Sequence, residues 1–254
     1  MNVWTICRRE LSSYFRSPIA YGVMTIFALV AGFFFYLATL AFVQQSVQSA
    51  MMGQSIPMNV NEYVIGPVLG NLSVIFLFLV PLITMRLFAE ERRSGTMELL
   101  VTSPLRDIEI ILGKWLAALV LFAALIGISL VNMLTLFAYG TPDWRPMAVA
   151  FLGLLLQGGC ILAIGMFASS LTKNQIVAGA VGFGICLLLF VLDWVSQFEN
   201  SPLFQVLGYL GFASHYQSFA RGIIDSKDVV YYISMIVLGL FLTARSMESM
   251  RWRA

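Results

Sequence analysis

The densest cluster of charged side chains in this sequence lies between two strongly apolar stretches, in EERRSGTMELLVTSP from Glu90 to Pro104. Acids and bases at this spacing form ion pairs and bind charged partners. The chain contains no HExxH, no GxSxG and no P-loop of the form GxxxxGK followed by Ser or Thr. We therefore expect a non-catalytic protein in which this stretch is either a solvated loop or a surface that another molecule grips.

The cysteine and histidine content indicates no metal or redox site. Cys7, Cys160 and Cys186 form no CxxC pair and have no histidine at metal-ligand spacing, so we interpret them as small packed thiols. His215 is the only histidine, and we interpret it as a polar residue at the membrane interface rather than a ligand.

The composition is that of an integral membrane protein, because 59% of the residues are hydrophobic and only 11% are charged. We predict an all-α fold in which residues 1–254 form a single transmembrane domain. Six segments are long and apolar enough to cross a bilayer: Ile19–Val43, Pro67–Met85, Trp115–Ala138, Met147–Ala168, Ile176–Leu192 and Val229–Ala244. Polar residues within these spans either bond across helices or line a path.

The distribution of basic residues predicts the orientation. An even number of spans places both termini on one side, and the loops on that side carry twelve Lys and Arg residues against three on the other. Cytoplasmic loops are the ones enriched in Lys and Arg. Both termini and the Glu90–Pro104 stretch are therefore predicted to lie in the cytoplasm.

Residues 1–18 are predicted to form an amphipathic helix in the membrane interface, since an aromatic-rich face is backed by arginines. Ser17-Pro18 then turns the chain into the first span. The alternative is a disordered basic tail. The side chains expected to carry the interfacial role are Trp4, Arg8, Arg9, Tyr14, Phe15 and Arg16.

Residues 86–114 are predicted to contain a short helix between two breaks. The second span is expected to continue helically past Met85 through RLFAEERR, and Ser94-Gly95 should end it. A new helix of about two turns, Met97–Thr102, then runs to the break at Ser103-Pro104. Its four apolar side chains favour either a docking site or an interfacial segment packed on lipid.

Three blocks of the sequence resemble a known family. ERRSGTMELLVTSPL followed by IILGKW is similar to the loop between the second and third spans of type 2 ATP-binding cassette (ABC) exporter permeases. RRELSSYFRSP and SHYQSFARGIIDSKDVVYY resemble the branch with gliding-motility permeases and those that serve nitrous-oxide reductase maturation. The resemblance implies a multi-pass subunit of the bacterial cytoplasmic (inner) membrane that dimerises with a second copy or a paralogue.

The resemblance also implies partners and site residues. Two separate ATPase subunits would hold ATP and Mg, so no cofactor is expected on this chain and no nucleic acid as a partner. Gly95–Leu100 would be the coupling helix that fits a groove on the ATPase. The implied coupling residues are Glu90, Glu91, Arg92, Arg93, Gly95, Thr96, Glu98, Leu99 and Leu100.

On the other face, residues 193–228 form an extracytoplasmic region in which Pro202–Ala213 is too short to cross and is expected to be re-entrant or interfacial. An auxiliary extracytoplasmic protein is a further expected partner.

Two alternatives to an ABC exporter remain: an ATP-driven scaffold for a cell-surface or gliding machine, and a secondary transporter or channel. The spans lack interior acids and bases, which disfavours the last. Nothing in the sequence specifies a substrate.

Overall fold

A computed structural model describes residues 2–53, 59–97, 106–140, 142–195, 206 and 208–251, and most of these residues are helical, with no strand among them. The α-helices are α1 (Asn2–Arg16), α2 (Pro18–Met51), α3 (Gly66–Thr84), α4 (Ala89–Ser94), α5 (Asp107–Leu134), α6 (Leu136–Tyr139), α7 (Trp144–Leu171), α8 (Gln175–Val195), α9 (Phe212–Ala220) and α10 (Ser226–Arg251). A π-helix, Asn61–Ile65, leads directly into α3.

The prediction of an all-α fold with six spans is confirmed. Within the described residues, six helical segments have the length and apolarity to cross a membrane: Ala20–Met51, Asn61–Ser94, Asp107–Tyr139, Trp144–Leu171, Gln175–Asp193 and Ser226–Ser249. The first is longer than predicted, because α2 continues through the polar residues after Val43.

Helix α7 forms the centre of the bundle and contacts α3, α5, α8, α9 and α10. Two of its glycines permit this close packing, since a Cβ on Gly158 would collide with the Phe122 ring of α5 and one on Gly165 with Thr84 of α3. Helices α2 and α8 lie at the periphery. Only 11% of the residues in the most apolar stretch of α2 are buried, and 17% of those in α8. Their outer faces are left for lipid or for another subunit.

One buried polar pair crosses between spans. Ser73 Oγ of α3 donates a 2.8 Å hydrogen bond to Gln157 Oε1 of α7, and both residues are buried. By contrast, Ser129 Oγ and Thr135 Oγ1 donate to backbone carbonyls of the preceding turn. The interpretation that span residues bond across helices is thus confirmed for Ser73 and Gln157.

The second span is not the continuous helix that was predicted, and this expectation is wrong. The chain leaves the helix in a turn from Met85 to Phe88 before α4 begins at Ala89. The Ser169 hydroxyl of α7 satisfies the freed backbone, since it accepts hydrogen bonds from the N–H groups of Phe88 and Ala89 at 3.1 Å each. It also donates to Met85 O at 3.0 Å. A side chain of a neighbouring helix thus makes the break tolerable.

Ser169→Ala is expected to lower the free energy of unfolding by about 2 kcal/mol, because two buried N–H groups and a carbonyl lose their partner. Ser170→Ala is a matched control, since the Ser170 hydroxyl donates only within its own helix, to Phe167 O. Thermal unfolding in detergent measures both. Equal destabilisation by the two substitutions would contradict the bridging role of Ser169.

Candidate functional site

Helix α1 packs against α5 at the end of the bundle that also carries α4, here called the N-terminal end. The predicted helix and its bend at Ser17 are present, and α2 starts at Pro18. A Cβ on Gly113 of α5 would lie 2.8 Å from Ile6 Cβ and 3.1 Å from Val3 O. Glycine at position 113 therefore allows α1 to approach the backbone of α5.

Lys114, next to this contact, is buried, with 2% of its side chain exposed. Its ammonium lies 2.8 Å from Glu91 Oε1 of α4 and 3.3 Å from Glu10 Oε1 of α1. Arg9 Nη2 lies 2.9 Å from Glu10 Oε1 and 3.8 Å from Glu91 Oε1. These four residues, Arg9, Glu10, Glu91 and Lys114, form an ionic cluster that joins three helices.

The charges of the ionic cluster balance, with two carboxylates and two cations. Lys114 Nζ also lies over the Phe88 ring, 5.4 Å from its centroid. Burial opposes ionisation of Glu10, but the nearby Lys114 and Arg9 hold the pKa of its carboxyl below its ordinary value. Glu91 Oε2 is buried without a hydrogen-bond partner in the described part of the chain. Removing Lys114 leaves two largely buried carboxylates without their buried cation.

Helix α4 is held to the bundle by further contacts on both sides of the ionic cluster. Arg92 Nη1 donates a hydrogen bond to Ser170 O of α7. Arg86 Nε, in the turn before α4, donates to Glu90 Oε2 at 3.0 Å. Gly95 then adopts a φ of 75°, the left-handed conformation that commonly ends a helix. The predicted stop at Gly95 is confirmed.

Of the predicted coupling residues, the structure places Glu91 and Arg92 inward and leaves Arg93 exposed. Thr96 is helical and its hydroxyl lies 2.9 Å from Ser94 Oγ. Met97, the last described residue of this segment, is buried. Glu98, Leu99, Leu100 and the rest of the predicted helix Met97–Thr102 lie outside the described residues.

The predicted interfacial residues divide into two groups. Arg9 belongs to the ionic cluster although its side chain is 62% exposed. The inward face of α1 is built mainly from Ile6 and Cys7, which are buried, while Trp4 is 71% exposed. Tyr14 and Phe15 are partly buried, whereas Arg8 and Arg16 are exposed. Helix α1 therefore packs on protein along one side and keeps an aromatic and basic side free.

A match to a family model shows the family to which this chain belongs. Residues 4–244 match the model described as "ABC-2 family transporter protein", which covers nearly the whole chain. The chain belongs to the ABC-2 family of transporter proteins. The resemblance stated from GTMELL and its flanks is confirmed at the level of the family.

Three similar proteins are each named as ABC transporter permeases, in agreement with the family match. The chain is 26% identical over 274 residues to "Probable ABC transporter permease protein NosY" of Pseudomonas aeruginosa, covering 95% of this chain and 93% of NosY. It is 28% identical over 158 residues to "Probable multidrug ABC transporter permease YbhR" of Escherichia coli K12, covering 60% of this chain. It is 21% identical over 199 residues to "Probable multidrug ABC transporter permease YbhS" of the same strain, covering 77% of this chain. The chain spans 42% of YbhR and 52% of YbhS.

Sequence reasoning did not find the ionic cluster of this ABC-2 permease. Glu10 and Lys114 are 104 positions apart, and no local pattern joins them. The sequence feature that could have revealed the cluster is Gly113-Lys114. A lysine next to a small residue on an apolar helix face is costly to bury, so it indicates an acidic partner on another helix. Gly113-Lys114 is the place on α5 where α1 docks.

The opposite end of the permease contains a second buried polar group. His215 of α9 was interpreted as a polar interfacial residue, but it is buried, and its Nδ1 lies 2.7 Å from Asp228 Oδ1 of α10. Its ring stacks on Tyr231 at 3.9 Å between centroids. Asp193 at the end of α8 accepts hydrogen bonds from the first N–H groups of α9, at 2.6 and 2.8 Å. These contacts tie α9 to α8 and α10. Of the predicted re-entrant segment Pro202–Ala213, residues 202–205 and 207 lie outside the described residues, and its last two residues belong to α9.

The lowered pKa of Glu10 predicts a loss of stability in acid. A carboxyl whose pKa is lower in the folded than in the unfolded chain stabilises the fold above its ordinary value of 4.5, and this contribution is lost as the pH falls below it. We expect the thermal midpoint to drop across this range, with a smaller drop in Glu10→Gln. The exposed pair of Arg245 and Glu248 supplies the control Glu248→Gln. Identical pH profiles for the wild type and Glu10→Gln would contradict this role.

Proposed function

We propose that this chain is the permease subunit of an ABC exporter of the bacterial cytoplasmic membrane, driven by two copies of a separate ATPase that hold ATP and Mg. The observation that carries the proposal is the attachment of α4 to α1 and α5 through the ionic cluster, directly before the GTMELL segment. A segment that receives force from a partner must be rigidly joined to the spans it moves. ATP hydrolysis belongs to the partner chain, and this chain is not an enzyme.

In this proposal, residues 86–114 are the coupling region, and the helix that fits the ATPase begins after Gly95, within the segment Gly95–Leu100. Closure of the two ATPase subunits displaces that helix. Arg92 passes the displacement to α7 through Ser170 O, and Glu91 passes it to α5 and α1 through Lys114. Because α7 is the centre of the bundle, a shift of its end changes the packing of its neighbours. Residues 1–18 act as a second connecting element, held in the membrane interface by their free side.

The permease acts as a dimer in this proposal, with a second copy or a paralogue. The largely exposed outer faces of α2 and α8 offer apolar surface for such pairing. Both termini lie in the cytoplasm, as the distribution of basic residues predicts. Residues 193–228 then face outward, where an auxiliary protein has access to them. The whole chain, 1–254, serves as one permease domain.

The exported substrate is not specified by any charged group inside the described spans. The names of YbhR and YbhS refer to multidrug transport, but these are longer proteins. An ATP-driven scaffold without a transported solute is the second candidate, and it uses the same coupling region. Uptake of substrate into inverted vesicles that depends on ATP distinguishes export from scaffolding.

Co-purification tests the proposed ATPase contact. Glu98→Arg is expected to lower the amount of ATPase subunit retained by the tagged permease by about tenfold, since it reverses a charge on the proposed contact. Glu62→Arg makes the same change on an exposed glutamate at the opposite end of the permease and should leave retention unchanged. Equal retention by the two variants would overturn the coupling helix.

A further inference from the structure

A groove runs between α2, α3 and α5 at the N-terminal end of the permease. It encloses about 430 Å³, including the part that opens to its surroundings. Its walls are largely apolar, and the groove is lined by Tyr14, Ser17, Ala20, Val23, Met24, Leu82, Ile83, Arg86, Leu121 and Leu125. The groove is distinct from the ionic cluster, none of whose members lines it.

The position of the groove determines what can fill it. Ala20, Val23 and Met24 belong to the first turns of the first span, and Leu82 and Ile83 to the end of α3. This level lies within the leaflet on the N-terminal side of the membrane, where lipid acyl chains surround the protein. An apolar groove open to lipid at this depth admits an acyl chain and excludes polar solutes.

The polar groups of the groove lie together at one end. Arg86, whose side chain is 32% exposed, lies in the turn that follows α3, and Tyr14 belongs to α1. Arg16 is exposed and directly precedes Ser17, which lines the groove. Glu90 pairs with Arg86 and offsets part of its charge. Arg86 and Arg16 outnumber Glu90 and the neighbouring ionic cluster is balanced, so the charged groups named at this end sum to one positive charge.

We propose that the groove binds one anionic phospholipid, with an acyl chain along Ala20, Leu82 and Leu125 and the phosphate at Arg86. Arginine forms charge-assisted hydrogen bonds to phosphate oxygens, and the Tyr14 hydroxyl supplies a further donor at the same end. Basic sites between spans are places where anionic headgroups bind. The lipid fills the space between α1 and the spans and holds α1 against the membrane. The proposal does not depend on the ATPase contact.

Native mass spectrometry of the full chain, purified from nanodiscs of phosphatidylglycerol or phosphatidylcholine, tests this site. We expect one phosphatidylglycerol retained per chain and about tenfold less phosphatidylcholine. Arg86→Gln should lower retention of phosphatidylglycerol by about tenfold, whereas Arg93→Gln, at an exposed arginine outside the groove, should not change it. Glu90→Gln should retain at least as much as the wild type, because it releases Arg86.

Ala20→Leu fills the groove without altering any charge and should also lower retention of phosphatidylglycerol. Its result separates the groove from a general attraction between arginine and lipid. Retention by Ala20→Leu equal to that of the wild type would overturn the acyl-chain site. Equal retention of the two lipids by the wild type, or of phosphatidylglycerol by Arg86→Gln and Arg93→Gln, would overturn recognition of the phosphate.

Discussion

Lys114→Met is expected to lower the free energy of unfolding of this ABC-2 permease by about 3 kcal/mol and to release α1 from α5. Methionine approximates the length of the lysine side chain but leaves Glu10 and Glu91 facing each other near the same point. Both carboxylates are largely buried, so water replaces the ammonium only after the helices separate. The loss is therefore larger than for an exposed ion pair, which contributes less than about 1 kcal/mol.

Thiol labelling of Cys7 measures the release of α1. Cys7 is 3% exposed on the inner face of α1, and burial also raises the pKa of its thiol, so it should react slowly in the wild type. Cys160 and Cys186 are buried within spans. In Lys114→Met, the rate of maleimide labelling at Cys7 should rise roughly a hundredfold if undocking costs about 3 kcal/mol less.

Two further variants control this prediction. Lys173→Met removes an exposed lysine and should leave both the thermal midpoint and the labelling rate unchanged. Adding Glu10→Gln and Glu91→Gln to Lys114→Met removes the uncompensated charges and should recover much of the lost stability. A Lys114→Met permease as stable as the wild type would show that the ionic cluster does not hold these helices together.

Gly113→Ala is expected to lower the free energy of unfolding by about 2 kcal/mol, because its methyl group has no room beside α1. The new Cβ would meet the Ile6 side chain at 2.8 Å and the Val3 carbonyl at 3.1 Å, and the second of these is backbone. Helix α1 must therefore shift away from α5, which also lengthens the distance between Glu10 and Lys114. Labelling of Cys7 should increase together with the loss of stability.

Gly127→Ala provides the matched control on the same helix. A Cβ at Gly127 meets nothing within 4 Å, and alanine favours helix over glycine by up to about 1 kcal/mol. Gly127→Ala should thus be neutral or stabilising in the same thermal unfolding measurement. If Gly113→Ala were equally well tolerated, α1 would not pack as closely on α5 as the structure shows.

The main elements of this fold could be predicted from local features of the sequence. The length of each apolar run identified the six spans, Ser17-Pro18 marked the bend after α1, and Ser94-Gly95 marked the end of α4. These features depend on a few neighbouring residues, so a linear reading captures them. The family followed from GTMELL and its flanks, which the family model then confirmed.

The remaining features depend on contacts between distant residues. The break from Met85 to Phe88 relies on Ser169, 81 positions after Phe88, and a continuous helix was the reasonable local prediction. Burial of Lys114 depends on Glu10 and Glu91, and burial of His215 depends on Asp228 of another helix. In each case a partner contributed by another helix makes a costly polar group or backbone break acceptable.

The rate of ATP hydrolysis by the ATPase subunit, with and without the permease in nanodiscs, tests the coupling claim most directly. Leu99→Asp combined with Leu100→Asp should lower the rate to that of the ATPase alone, since charged side chains cannot fill an apolar groove on the partner. Ile223→Asp combined with Ile224→Asp makes the same change on exposed residues at the opposite end and should preserve stimulation. Full stimulation by the Leu99 and Leu100 variant would contradict the account.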